Sequence, residues 1–356
     1  MQTYGVKYIG SKNLLIGEIL SVIDEQLSTP ETLRCIDVFT GTTRVSQAFR
    51  ERGWNVQSSD LSWASEAYAN ALTMRTEESG KRIPELITTL QDISGCEDWL
   101  TRTYCDVSGG FSGKRVRMWK PINGMKADAI RNKIAYMHAH NEINHHEAMI
   151  LTACLIFALD KVDSSTGVQQ AYLKDWATRA SNPLSLEDLP TLQGPPAKHV
   201  VGDCLEIAYE EADVAYLDPP YSAHSYSTYY HIWDSITRWD KPPVRLTTNR
   251  RIDRVAKSDS FDISMQSPWN KKSAALDAFM KLCERLPVKY ILISYNNESL
   301  VSLDILTEAL TAKYSSVIVK EIPYKRNIMA QIGNATLYEH EVKTENIEVL
   351  IWVSKV

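Results

Sequence analysis

The sequence predicts a doubly wound α/β fold: a Rossmann-like, mostly parallel sheet that carries an inserted, mainly helical module. Three observations lead to it. Short strand-like apolar runs alternate with helical ones over residues 1–74, and the same alternation resumes after about residue 196. In both stretches acidic residues stand at the C-terminal ends of the strands, where open α/β sheets bind their ligands.

Ile16, Ile19, Leu20, Ile23 and Leu27 share one helical face, so an amphipathic helix is expected over 14–27. A strand at Leu33–Phe39 follows and runs into Asp37-Val38-Phe39-Thr40-Gly41. A helix at Arg44–Arg52 leads to a second strand, Asn55–Ser59, which ends at Asp60, and a further helical unit begins at Trp63–Leu72. Past residue 196, His199–Cys204 and Val214–Leu217 read as strands, 271–286 as a helix and Tyr290–Ser294 as a buried strand. A helix at 301–313 comes next, and Val317–Ile322 and Ile347–Val353 suit a terminal hairpin.

Between these parts, residues 75–195 change character. A Gly-containing stretch, Ser108-Gly109-Gly110-Phe111-Ser112-Gly113, precedes a strongly apolar helix at Ala148–Val162, and Pro183, Pro190, Pro195 and Pro196 follow it. Residues 1–74 and 196–356 are therefore expected to form one catalytic domain, with 75–195 as an inserted recognition module.

Composition excludes several classes. No apolar run approaches the roughly 20 residues that span a bilayer, and Met1–Lys7 lacks the layout of a signal peptide, so a cytoplasmic protein is expected. Six scattered cysteines without a C-x-x-C pair argue against a disulfide framework or a four-cysteine zinc site. A net charge of −5 rules out a uniformly basic nucleic-acid binder, so any such contact needs local basic patches.

The strongest chemical signal is Asp218-Pro219-Pro220-Tyr221, placed directly after a strand. The amino group of a nucleobase is a poor nucleophile because its lone pair is delocalised into the ring. A carboxylate and a backbone carbonyl that both accept from its N–H groups favour the pyramidal, reactive nitrogen. The two prolines stiffen such a turn and remove competing N–H donors, and an aromatic fourth residue offers a face to a flipped base. The plainer reading, a surface Asp-Pro-Pro turn, is weakened by the preceding strand. Asp37, Phe39 and Gly41 form a strand-to-helix turn in which glycine lets a cofactor come close. Asp60 stands where an acid binds ribose hydroxyls, and Asp203, in Gly202-Asp203-Cys204, is placed to accept from an adenine amino group. Three strand-end acids in one sheet suit an adenosine-bearing cofactor.

Taken with Tyr8-Ile9-Gly10-Ser11-Lys12, and in this order, these motifs resemble the Dam-like (alpha, D12-class) DNA adenine-N6 methyltransferases. The resemblance spans most of the chain, apart from the insert, and implies a methyltransferase fold with S-adenosyl-L-methionine as cofactor and double-stranded DNA as substrate. It implies that Tyr8, Gly10, Ser11 and Lys12 contact the cofactor, that Asp37, Phe39 and Gly41 shape its methionine end, and that Asp60, Asp203, Cys204 and Asp218 complete the pocket. Thr42 and Thr43 stand where the family's turn usually continues with another glycine, so the turn is expected to be less open or to use threonine hydroxyls. Residues after the catalytic turn, His224 and Tyr226 among them, are candidates to lie beside the base, whereas Tyr229, Tyr230 and Trp233 suit helix packing.

Three basic patches are candidates for DNA phosphates: Lys114, Arg115, Arg117 and Lys120, in a run that continues to Lys126, Arg131 and Lys133; Arg250, Arg251, Arg254 and Lys257; and Lys325 and Arg326. The cluster His138, His140, Glu142, His145 and His146 reads as a polar helix end, and no metal is expected, since direct methyl transfer needs none. A cognate restriction endonuclease is a candidate partner. Cytosine C5 chemistry is excluded by the lack of any Pro-Cys pair. N4-cytosine or RNA amino methylation, or a non-catalytic DNA-binding subunit, are the alternatives.

Overall fold

A computed structural model describes residues 1–107, 116–169, 173, 175–220, 226–244, 267–297, 299–324 and 346–355. Among the described residues the sheet has seven strands: β1 (Arg34–Asp37), β2 (Asn55–Asp60), β3 (Lys198–Val201), β4 (Ala212–Leu217), β5 (Val288–Asn296), β6 (Ser316–Tyr324) and β7 (Asn346–Ser354). Their spatial order is β3-β2-β1-β4-β5-β7-β6. The first five are parallel, and β7 enters antiparallel between β5 and β6. This is the doubly wound fold expected, with the terminal strands paired as the hairpin pattern suggested. The order reverses between β1 and β4, so the switch point of the sheet lies where Asp37 and Asp218 leave their strands.

Helices α1 (Ile16–Leu27) and α2 (Arg44–Glu51) cover one face, where Ile19, Ile23 and Phe49 bury against Cys35, Val214 and Trp352. Beside α2, α3 (Ala64–Tyr68) runs into a π-helical turn, Ala69–Met74, that the sequence does not signal, and Arg50 of α2 donates to the Leu72 carbonyl at 3.2 Å. Four helices of the middle region come next: α4 (Glu77–Gly80), α5 (Ile83–Gln91), α6 (Trp99–Tyr104) and the long α7 (Pro121–Ala139). None of α4–α7 is among the elements expected from the sequence, although start signals for α4 and α5 are present. Thr76 and Ser79 form a capping box and Pro84 sits in the first turn of α5.

The apolar helix expected at 148–162 is α8 (His145–Lys161), started by an Asn144–Glu147 capping box and buried on nearly all sides. Its Ile150, Leu151, Ile156 and Leu159 share one continuous core with Tyr68, Leu72, Ile130, Ile232 and Trp233. The middle region therefore packs directly on α3 and on α10 (His231–Arg238), which follows the short α9 (Tyr226–Tyr229) after the Asp-Pro-Pro turn. Helices α11 (Lys272–Arg285) and α12 (Leu303–Thr311) complete the second apolar layer with Ile291, Ile293 and Ile351. Among the described residues no helix is long and apolar enough to cross a membrane.

One polar tie across the edge of the sheet predicts a pH effect. The His199 ring meets Ser58 Oγ at 2.9 Å through Nδ1 and Ser65 Oγ at 2.9 Å through Nε2, joining β3, β2 and α3. Burial pushes its pKa down from 6.5 to about 4. The fold therefore holds the neutral ring. The contribution is complete above pH 6.5 and is lost as pH falls towards 4, amounting to roughly 2–3 kcal/mol. Thermal unfolding at pH 7.5 and 4.5 should show that loss, and His199→Gln should flatten it.

Candidate active site

The site grows from the carboxyl ends of β1, β2 and β4. Asp37, the last residue of β1, is buried, and its Oδ2 accepts from Thr40 Oγ1 (2.8 Å), Ser46 N (3.1 Å) and Ser46 Oγ (2.6 Å). It thereby folds the following turn onto the start of α2. Burial raises its pKa to about 6, against which the Ser46 and Thr40 hydrogen bonds act. Gly41 in that turn has φ +51° and gives its N–H to Asp60 Oδ2 at 2.8 Å. The positive φ favours glycine, while a Cβ there would meet Tyr8 only at ordinary contact distance, 3.4 Å.

Thr43 takes φ +64°, a left-handed conformation unusual for a β-branched residue. Its hydroxyl accepts from Gln47 Nε2 at 3.0 Å, and Gln47 in turn pairs with both backbone groups of Tyr4. Thr42 and Thr43 are buried behind the turn and do not line the cavity. The threonine hydroxyl thus serves to hold the N-terminal segment.

That segment is pinned from two more sides. Arg44 donates to the carbonyls of Thr3 and Gly5, and Lys7 pairs with Asp160 (3.4 Å) and Asp163 (2.9 Å) beside the end of α8. Tyr8 is delivered to the cavity, stacked on Tyr230 at 4.3 Å and 18°, with Tyr226 at 5.5 Å. The Tyr230 hydroxyl accepts from Ile9 N at 2.6 Å. Gly10 has φ +77°, and a Cβ there would come within 3.0 Å of the Tyr226 hydroxyl.

One cavity gathers most of the expected residues: Tyr8, Gly10, Phe39, Gly41, Asp60, Asp203, Cys204, Asp218, Pro219 and Pro220. Ser11 and Lys12 lie outside its lining. Lys12 is nevertheless tied to the site, with Nζ 2.9 Å from Asp218 Oδ2 and 3.0 Å from Gly10 O. The pair is largely out of solvent, at 5% exposure for the Lys12 side chain and 16% for that of Asp218.

Asp60 receives two backbone donors, Gly41 N on Oδ2 and Ser62 N on Oδ1, each at 2.8 Å. Burial still raises its pKa to about 6, with the nearby Asp234 adding to the rise.

The sequence analysis missed Asp234 as a lining residue. It takes Ser62 Oγ (2.7 Å) and Ala64 N (3.0 Å) on one oxygen, bringing α10 to the start of α3. Trp269, likewise not expected from the sequence, lines the cavity and meets Phe39 edge-on at 5.1 Å and 81°. Tyr230 and Trp233 are core residues as expected, and Tyr230 also faces the cavity.

Tyr221, His224, Lys114, Arg115, Arg250, Arg251, Arg254, Lys257, Lys325 and Arg326 lie outside the described residues. Arg117 stands 3.9 Å from Asp106, and Lys120 donates to Ser181 Oγ at 2.9 Å beside the Trp176 ring. Arg131, counted in the same basic run, is a correction: it is buried and donates to the carbonyls of Ile236 (2.7 Å) and Thr237 (2.9 Å). Lys126 also points inward, to the carbonyls of Gln91 and Ile93. In the histidine-rich stretch, His145 pairs with Glu66, and His146 bridges Asn70 and Ser79. Among the described residues no group of three or more His, Cys, Asp or Glu is placed to hold a metal ion.

Fold and cavity together define an α/β protein whose ligand cleft opens at the switch point of the sheet and closes on an Asp-Pro-Pro turn. The family profile of the D12 class N6 adenine-specific DNA methyltransferases matches residues 8–301, and the chain belongs to this family. It is 29% identical over 348 residues to modification methylase StsI of Streptococcus sanguinis, an alignment covering 94% of this chain and 51% of that protein. To modification methylase LlaI of Lactococcus lactis subsp. lactis it is 27% identical over 363 residues, covering 98% and 55%. To type II methyltransferase M.NlaIII of Neisseria lactamica it is 28% identical over 336 residues, covering 90% and 92%. The chain thus spans about half the length of the first two relatives and most of the third.

Proposed function

We propose that this chain transfers a methyl group from S-adenosyl-L-methionine to N6 of an adenine flipped out of double-stranded DNA. The observation that carries the reading is a cleft lined together by Asp218, directly after β4, Asp60, at the end of β2, and Asp203, two residues past β3. The donor set fits the cofactor. Asp60 is held by two backbone N–H groups with its carboxylate at the cavity, as binding of ribose hydroxyls requires. Val38, Phe39, Leu61 and Trp269 offer apolar faces for an adenine ring, and the left-handed Gly41 allows a close approach. Four carboxylates line the cavity (Asp60, Asp203, Asp218 and Asp234), an arrangement that suits a ligand bearing positive charge.

When bound, the cofactor supplies an electrophilic methyl on a positively charged sulfur. The chain's own part is to orient the nucleophile. Asp218 and the Pro219 carbonyl accept from the two N6 protons, which localises the nitrogen lone pair and aims it along the line of attack. Tyr226 and Tyr230, together with Tyr221, supply aromatic surface for the flipped base and exclude water. The proton released on transfer passes to solvent. Residues 1–74 and 196–356 form the catalytic part in this reading, residues 75–195 recognise the target, and the basic runs grip phosphates. A cognate restriction endonuclease is the expected companion, as the names of the relatives suggest.

Tritiated methyl from S-adenosyl-L-methionine should be incorporated into duplex DNA and not into an RNA duplex of the same sequence. Incorporation into RNA alone would contradict the reading. A cofactor-binding prediction follows from Asp60. Ribose hydroxyls donate to the ionised carboxylate, so affinity is full above pH 6 and falls as pH drops through about 6. Isothermal titration of the cofactor at pH 5 and pH 8 should show a several-fold weaker Kd at pH 5. Asp60→Asn should weaken binding by roughly 10–100-fold at pH 8.

A further inference from the structure

Glu348 is a buried carboxylate with no part in the chemistry described so far. It lies on β7, at 9% exposure, and its Oε2 has no hydrogen-bond partner among the described residues. The strand register sets it near the catalytic turn. Leu217, directly before Asp218, pairs with Ile293, and three residues further along β5 Asn296 pairs with Glu348. Its carboxylate therefore stands at the same edge of the sheet as the Asp-Pro-Pro turn, two strands away. Burial raises its pKa, the Lys12 ammonium lowers it and the Asp218 charge raises it again, in keeping with a place beside that pair.

The Lys12 ammonium sits on Asp218 Oδ2 at 2.9 Å. That is a carboxylate oxygen of the group that has to accept from the target amino group. An ammonium in that place competes with the substrate N–H, and moving it into solvent is not open to a side chain only 5% exposed. It needs a second anionic seat inside the protein.

We propose that Glu348 is that seat, a positioning residue that draws the Lys12 ammonium aside so that Asp218 is open to the target amino group. The proposal rests on the methyltransferase reading above. Oε2 of Glu348 is the lone pair that receives the ammonium, and the Lys12 charge stays paired throughout. No bond is made or broken in this step, since a cation moves from one carboxylate towards another.

The test uses the full chain and three variants, Glu348→Gln, Lys12→Gln and the double variant, each checked for an unaltered thermal unfolding midpoint. Glu348→Gln should lower kcat by about 10-fold or more, with KM for cofactor and DNA within about twofold. In the Lys12→Gln background the same change should have no further effect, because a residue acting through Lys12 has nothing left to act on. A second readout needs no cofactor: the preference of the protein for adenine over purine at the methylated position of a duplex. It should fall by about 10-fold in Glu348→Gln, since purine lacks the amino group that Asp218 accepts from. Multiplying losses in the double variant, or an unchanged adenine-over-purine preference, would overturn the proposal and leave the methyltransferase reading standing. A wild-type protein that transfers no methyl would overturn both.

Discussion

Asparagine at Asp218 should lower methyl transfer to DNA by about 10²–10³-fold while cofactor affinity changes little, the loss typical for removing one preorganised polar group from a reacting centre. The argument is geometric. Asp218 follows the last residue of β4 directly, and Pro219 and Pro220 line the same cavity beyond it. The carboxylate has two acceptor oxygens and no donor, whereas the asparagine amide places an NH2 where an N–H must be received. The variant also removes the partner of Lys12, a lysine largely out of solvent. Some loss of stability therefore accompanies the loss of rate. Cofactor titration separates the two: a folded variant binds cofactor and does not turn over. Wild-type kcat in Asp218→Asn would remove this residue from the mechanism.

The second large effect concerns Arg131. Helix α10 ends at Trp239 in a left-handed conformation, φ +53°, at a position where glycine is the usual choice. Helix α7 holds that end in place. The Arg131 guanidinium donates to the carbonyls of Ile236 and Thr237 and lies over the Trp239 ring at 5.4 Å, and Asn132 Oδ1 accepts from the indole N–H at 2.9 Å. Burial lowers the Arg131 pKa to about 10, still well above neutral, so the charge is present where the helix dipole is negative. Arg131→Met keeps the aliphatic stem and removes the donors, leaving buried carbonyls unsatisfied. We expect a loss of about 3 kcal/mol in unfolding free energy, measurable by denaturant titration. A change below about 0.5 kcal/mol would show that the end of α10 is held by ring packing alone.

Arg131 also shows what a sequence does and does not reveal. In the linear chain it belongs to a basic run and reads as a phosphate ligand. Only the approach of α7 to the end of α10 shows that its donors are committed to carbonyls. The strands were legible because their apolar runs are short and end in acids, and the order of motifs carried the sheet from Asp37 to Asp218. The left-handed Thr43 was not foreseeable, since its conformation depends on Gln47 and the Tyr4 backbone rather than on its own type. Asp234 and Trp269 reach the cavity by tertiary packing alone, from α10 and from the turn before α11, with no local motif to announce them. Tyr230 was rightly read as a core residue, yet the same ring also carries Tyr8 and faces the cavity. The middle region gave the least, because short helices such as α4 and α6 have too few turns for a clear apolar period.

Methylation of adenine N6 in duplex DNA at the Asp218 site leaves its product in the DNA itself. It is tested most directly by digesting DNA from cells that express the chain and identifying the modified nucleoside by mass spectrometry. Single-molecule sequencing of the same DNA then locates it. The account predicts N6-methyladenine confined to one short recurring sequence, and its loss in cells expressing Asp218→Asn. N4-methylcytosine in place of N6-methyladenine, or N6-methyladenine that persists in the Asp218→Asn cells, would contradict it.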